Sequence, residues 1–134
     1  MRYLGLDIGK KRIGVAISDE AGIIATPLIV VKAGSSAVSE ITELAAEYGA
    51  KEIVLGMPLN MDGTRGDMAN YVEKFIDKLA RKYSETITTW DERLSTSAVT
   101  KVLIEGGARR SKRKTVVDKL SASYILQGYL DSKR

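Results

Sequence analysis

Asp7 stands by itself in an apolar run, Tyr3-Leu4-Gly5-Leu6-Asp7-Ile8-Gly9, that otherwise reads as a buried strand. An unpaired carboxylate in such surroundings is costly unless an ion pair, a raised pKa or a bound cation compensates. Two further acidic positions supply company. Asp91-Glu92 closes a later strand, and Asp118 falls in the predicted first turn of the last helix, on the face shared with Ala122, Ile125 and Tyr129. Sites in open α/β sheets form beyond the carboxyl ends of strands, so these acids can meet at one sheet edge. Converged carboxylates repel by roughly 4 kcal/mol per pair at about 4 Å and an effective dielectric near 20. Mg²⁺ or Mn²⁺ removes that penalty through oxygen ligands, and a pair of such ions about 3.5–4 Å apart can activate water and stabilise the leaving oxygen of a phosphodiester. The chemistry this pattern points to is metal-dependent hydrolysis, and the enzyme a nuclease.

Composition narrows the choice. The 134 residues include no Cys and no His. That excludes disulfides, thiolate catalysis, Cys zinc sites, Ser-His and Cys-His triads, and the commonest general base. Carboxylates, Lys, Arg, hydroxyls and a metal remain. A formal net charge of +4 suits an anionic partner. The length predicts one domain over residues 1–134, burying roughly two-thirds of its unfolded surface. Met1-Arg2-Tyr3-Leu4 carries no signal-peptide pattern, and the longest apolar stretch, Ile23 to Val31, is interrupted by Thr26 and Pro27 and too short to span a bilayer. A cytoplasmic protein with no membrane partner is expected.

Each acid also has a bland reading. Asp7 can pair with Lys10, Lys11 or Arg12 across a hairpin, Asp91-Glu92-Arg93 can form a surface charge cluster, and Asp118 near a helix start suits the helix dipole. The threefold coincidence is what favours a site. Strand alternation leaves open which of Asp91 and Glu92 points inward; Glu92 has the longer reach.

The elements that must position these acids follow from patterning. Arg2–Ile8 and Arg12–Ser18 are strands joined by the turn Gly9-Lys10-Lys11, and Ile23–Val31 is a third strand whose Pro27 predicts an edge. Ser35 or Ser36 caps a helix carrying Ile41, Leu44, Ala45 and Tyr48 and stopped by Gly49. Glu52–Gly56 is a short strand, followed by the loop Met57–Gly63. A helix with Met68, Val72, Phe75, Ile76 and Leu79 on one face then reaches about Tyr83. Thr86–Asp91 is the fifth strand. Ser95 or Thr96 caps a helix through Ala98, Val102 and Leu103, and Thr115–Leu130 is the last helix. A meander followed by crossovers predicts an α/β fold: a five-stranded mixed sheet with helices on both faces.

Arg109, Arg110, Lys112, Arg113 and Lys114 form the densest positive run and read as a loop that contacts phosphates. Lys10, Lys11 and Arg12 add positive charge beside Asp7. Asn60, Thr64 and Arg65 are further candidate backbone contacts, and Trp90 and Tyr124 are read as buried.

Several stretches together resemble the YqgF (RuvX) family of ribonuclease H-like proteins. They are Gly5-Leu6-Asp7-Ile8-Gly9-Lys10-Lys11-Arg12-Ile13-Gly14-Val15-Ala16, Gly56-Met57-Pro58-Leu59-Asn60-Met61-Asp62-Gly63, Trp90-Asp91-Glu92-Arg93-Leu94-Ser95-Thr96, Lys112-Arg113-Lys114 with Asp118, and Tyr124-Ile125-Leu126-Gln127. The resemblance implies a ribonuclease H-like sheet and a metal-dependent nuclease similar to Holliday-junction resolvases, with a role in maturing the 5′ end of pre-16S rRNA. It implies Asp7, Glu92 and Asp118 as catalytic acids and ligands of a two-metal Mg²⁺ or Mn²⁺ site. It further implies an rRNA precursor or branched DNA as substrate, ribosomal particles as partners, and a monomer or weak homodimer. Arg65, Asp67 and Ser121 depart from the family pattern without touching the acids. Rival readings are a junction resolvase acting in DNA recombination and repair, or a non-catalytic rRNA-binding assembly factor. The strand-Asp-x-Gly start also resembles sugar kinases and actin-like ATPases, which need two such domains where this chain has room for one.

Overall fold

A computed structural model describes residues 1–92 and 110–134, with side chains described outside 110–117. The chain opens with an antiparallel meander of β1 (Arg2–Ile8), β2 (Arg12–Ser18) and β3 (Ala25–Lys32). Helix α1 (Ala37–Tyr48) crosses to β4 (Ala50–Met57), which lies parallel to β1. Helix α2 (Asp67–Ala80) crosses to β5 (Thr86–Asp91), parallel to β4, and α3 (Arg110–Ser132) closes the chain. The resulting mixed sheet has five strands in the order β3-β2-β1-β4-β5. Pro27 does sit on an edge strand, beside an irregularity in the β2–β3 register, as its missing N–H requires.

Strand alternation assigns the two faces. Leu4, Leu6 and Ile8 of β1 join Ile13, Val15, Ile53 and Leu55 in a core with Ile41 and Ala45 of α1 and Val72 and Leu79 of α2. The opposite face carries Tyr3, Ala16 and Val54 against Ala122, Ile125, Leu126 and Leu130 of α3. Burial on both sides is why β1, β2 and β4 read as near-continuous apolar runs. The expected helices on both faces are present, and no described helix is long and apolar enough to cross a membrane.

Two features set α3 close to the sheet. A Cβ on Gly5 would lie 2.6 Å from Leu126 Cβ, and one on Gly14 would strike the backbone carbonyl of Asp118. Glycine within a strand here marks close backbone approach. The helix also begins earlier than its apolar pattern suggests, at Arg110 rather than Thr115. The run Arg110–Lys114 is therefore helical and not a loop, because Lys and Arg are good helix formers and no Pro or Gly interrupts them. Asp118 consequently lies in the third turn of α3, beyond the reach of the N-terminal dipole.

Other boundaries shift by a few residues. Helix α1 starts after Ser36, which makes no side-chain capping bond, and stops at Gly49 with φ 67°. Helix α2 ends at Ala80, short of Tyr83, whose hydroxyl instead donates to the Ala50 carbonyl at 3.1 Å. The helix predicted from Ser95 or Thr96 lies outside the described residues.

Candidate active site

The three acids arrive from different elements onto the α3 face of the sheet. Asp7 is two residues beyond Gly5 on β1 and so shares its side, and its partner across β2 is Gly14, which places no side chain beside it. Burial pushes the Asp7 carboxyl up to about 7, and the charges of Glu92 and then Asp118 push it the same way. No ion pair to a described residue relieves it.

Strand pairing settles the choice between Asp91 and Glu92. Gly56 on β4 pairs with Trp90, and Trp90 packs with Tyr129 on the α3 face. Glu92 follows Trp90 by two residues and its carboxylate lies over Gly56, where a Cβ would overlap Oε2 and come within 2.6 Å of Ile125 Cδ1. Glu92 is the inward acid. Its carboxyl is raised by burial and then by the neighbouring Asp91.

Asp118 is held differently. Arg12 Nε donates to Asp118 Oδ2 at 2.8 Å, with the Asp118 side chain 20% exposed and that of Arg12 37%. Arg12 shares the α3 face with Gly14 and Ala16 by alternation along β2. Its guanidinium is thus turned inward, toward an acid 106 residues away in sequence. This corrects one expectation: Arg12 pairs with Asp118 and not with Asp7. Coulomb attraction in a half-buried setting explains the choice, since Arg12 sits among converging carboxylates.

The site therefore joins Asp7, without an ion pair among the described residues, an inward Glu92 and an Arg-anchored Asp118. Among the described residues, no three acids are spaced to hold one ion as they stand. Among the described residues Arg12 is the cation paired with one of the three acids, and every donor is a hard oxygen, the set Mg²⁺ and Mn²⁺ prefer.

The other predicted positions divide. Lys10 and Lys11 are exposed on the β1–β2 turn, next to Asp7. Arg110, Lys112, Arg113 and Lys114 occupy the first turns of α3, eight residues or fewer before Asp118, while Arg109 lies outside the described residues. The loop after β4 forms a small hairpin: Asn60 N–H donates to the Thr64 carbonyl at 2.9 Å, and Asn60 Nδ2 to Thr64 Oγ1 at 3.0 Å. Arg65 is engaged by Glu73 at 2.7 Å. Tyr124 is 52% exposed, against expectation, whereas Trp90 is half-buried against Gly128. Close backbone approach at Gly14, beside Asp7, is legible in the sequence, whereas the part Gly56 plays under Glu92 is not; a glycine inside an otherwise apolar strand was the available signal.

A family model described as "RuvX: Holliday junction resolvase" matches residues 1–132. A protein of Desulforamulus reducens named "Putative pre-16S rRNA nuclease" is 46% identical over 134 residues, covering 98% of this chain and 98% of the relative. Proteins of the same name from Clostridium tetani and Geobacillus kaustophilus are 47% and 46% identical, covering 98% and 100% of this chain and 97% and 100% of theirs. Among solved structures, Thermus thermophilus RuvC aligns with a TM-score of 0.58 at 12% identity, over 99% of this chain and 96% of its own. The fowlpox virus Holliday junction resolvase aligns with a TM-score of 0.59 at 14% identity over 100% of both chains. Those two likenesses concern architecture, and the architecture is ribonuclease H-like. Because the family match runs through residues 1–132 and spans all three acid-bearing motifs, the chain belongs to the RuvX family.

Proposed function

We propose that this nuclease hydrolyses phosphodiesters in structured nucleic acid with the help of Mg²⁺ or Mn²⁺, and that its substrate is the 5′ region of pre-16S rRNA. The observation that carries the proposal is the convergence of Asp7, Glu92 and Asp118 on the α3 face of the sheet, over Gly14 and Gly56, which together with burial pushes the Asp7 carboxyl up. A half-buried acid so crowded, with no cationic partner among the described residues, marks a site organised for something other than stability.

Asp7 and Glu92 would hold the metal, with Asp118 completing the set. When bound, such ions polarise the phosphoryl oxygen and make water a better nucleophile at neutral pH. Arg12 keeps the Asp118 carboxylate aimed into the site and balances part of its charge when no ion is present. Gly14 and Gly56 leave room for carboxylates and backbone where side chains would intrude. Lys10 and Lys11, exposed beside Asp7, would contact backbone phosphates next to the scissile bond, and Arg109, Arg110, Lys112, Arg113 and Lys114 would add to that grip. RNA is favoured as substrate by the name its relatives carry. Ribosomal precursor particles would be the partners in that role. Branched DNA is the second reading, supported by the resolvases that share the fold.

Purified protein with titrated Mn²⁺, offered a pre-16S rRNA 5′ leader and a four-way DNA junction, decides among these. Cleavage of the RNA that disappears in Asp7→Asn supports the proposal; preference for the junction transfers the substrate to DNA. Full cleavage by Asp7→Asn would refute the site. RNA binding with no cleavage by either protein would leave a scaffold.

A further inference from the structure

Behind the sheet, on the face away from the acids, α1 and α2 leave a groove of about 630 Å³. Its floor is apolar and partly aromatic, with Ile13, Val38, Tyr71 and Phe75, and its rim carries Lys74 and Lys78 of α2 and Arg81 just past the end of that helix. No acid lines it. None of the three cations makes an ion pair with a described residue. Three like charges at helical spacing repel one another, so an anionic occupant would relieve them. The groove on the other side of α1, toward β3, is by contrast mainly acidic, lined by Glu40, Glu43 and Glu47 together with Lys32.

The basic groove is also connected to the active site. Arg12 faces the acids while its neighbour Ile13 lines the groove floor on the opposite side of β2. The turn bearing exposed Lys10 and Lys11 lies at this end of the strand, and Ala33, another lining residue, donates its N–H to the Lys11 carbonyl at 3.0 Å. Exposed positive charge is thus present both on the β1–β2 turn beside Asp7 and on the groove rim.

We propose that this groove seats a single-stranded flank of the nucleic-acid substrate, its phosphates on Lys74, Lys78 and Arg81 and a base against Tyr71 or Phe75. A cationic rim over an aromatic floor is how single strands are held without sequence preference. The inference rests on the nucleic-acid reading above but not on catalysis.

The test is binding of a fluorescent oligo(U) by the full chain, measured by anisotropy across salt concentrations in chelator, so that no cleavage is needed. The combined variant Lys74→Gln, Lys78→Gln and Arg81→Gln should weaken binding at least about tenfold and flatten the log–log salt slope by about 2, as the loss of three single-strand phosphate contacts requires. Phe75→Leu should weaken binding severalfold with the slope unchanged, the mark of lost stacking. Glu43→Gln, on the far side of α1, should change neither. Wild-type affinity and slope in the triple variant would overturn the proposal, whatever Asp7→Asn does to cleavage. So would a poly-glutamate peptide that binds the groove more tightly than oligo(U), which would assign it to an acidic protein segment.

Discussion

Two carboxylates lie under α3 at opposite ends of the sheet, and they are treated in opposite ways. At the far end Glu52 is 5% exposed, and its Oε2 accepts from Tyr129 Oη at 2.5 Å and from Thr88 Oγ1 at 2.8 Å. Lys133 Nζ closes that end, 3.3 Å from Tyr3 Oη and 5.2 Å from the ring centroids of both Tyr3 and Tyr129. At the near end Asp7 has acids for neighbours. Glu52 is held by its hydrogen bonds as a piece of structure, whereas Asp7, crowded by charge of its own sign, is a functional-site candidate. The same helix spans both, so the satisfied end secures the geometry of the unsatisfied one.

The largest expected effect falls on the unsatisfied end. Asp7→Asn should reduce metal-dependent cleavage by about a thousandfold or more, since a ligand and a charge are lost together. A variant within tenfold of wild type would erase the contrast. Gly56→Ala should come next. Its methyl would intrude on Glu92 and Ile125, costing about 1–3 kcal/mol of stability by overpacking and displacing the acid. Cleavage should fall more than urea stability accounts for, and unchanged activity would mean that Glu92 is free to sit elsewhere.

Stability against pH sharpens the comparison further. The folded-state value of about 7 for Asp7 lies above its ordinary 3.8, so the folded protein binds that proton more tightly than the unfolded chain. The sign follows: stability from this group is greatest below about 4 and is lost as pH rises to about 7 and beyond. In chelator, Asp7→Asn should therefore gain more over wild type at about pH 8 than at about pH 5, by at most about 3 kcal/mol, since the folded value of about 7 lies about 2 units above the lower pH. Thermal melts at the two pH values measure it, and an equal shift at both would remove the crowding argument. At the satisfied end, Tyr129→Phe should cost about 1–2 kcal/mol, because a buried acceptor loses a donor, with little effect on cleavage. A loss of cleavage like that of Asp7→Asn would show that the two ends do not differ in kind. The smallest effect belongs to Ser121, fully buried with no hydrogen-bond partner for its hydroxyl. Ser121→Ala should stabilise by up to about 1 kcal/mol in urea denaturation.

Much of this was visible along the chain. The bounds of β1, β2 and β5, the edge position of Pro27, the stop at Gly49 and the mixed order of elements all follow from local alternation, turn residues and helical spacing. Those are short-range properties, carried by a few adjacent side chains. The early start of α3 was hidden because a polar run at a helix start has no apolar stripe to announce it, although its propensity is good.

Asp7 as the odd charge in an apolar strand was declared by the sequence itself, and with it the choice of oxygen-based chemistry in a chain lacking Cys and His. Only the fold could decide the rest. Glu92 rather than Asp91 faces inward because β5 pairs with β4 in the register that sets Trp90 beside Gly56. Arg12 meets Asp118 because Gly14 admits the backbone of α3. Alternation gives each strand two faces but cannot say which is inside. Long-range contacts choose between them, and those exist only once sheet and helix have packed.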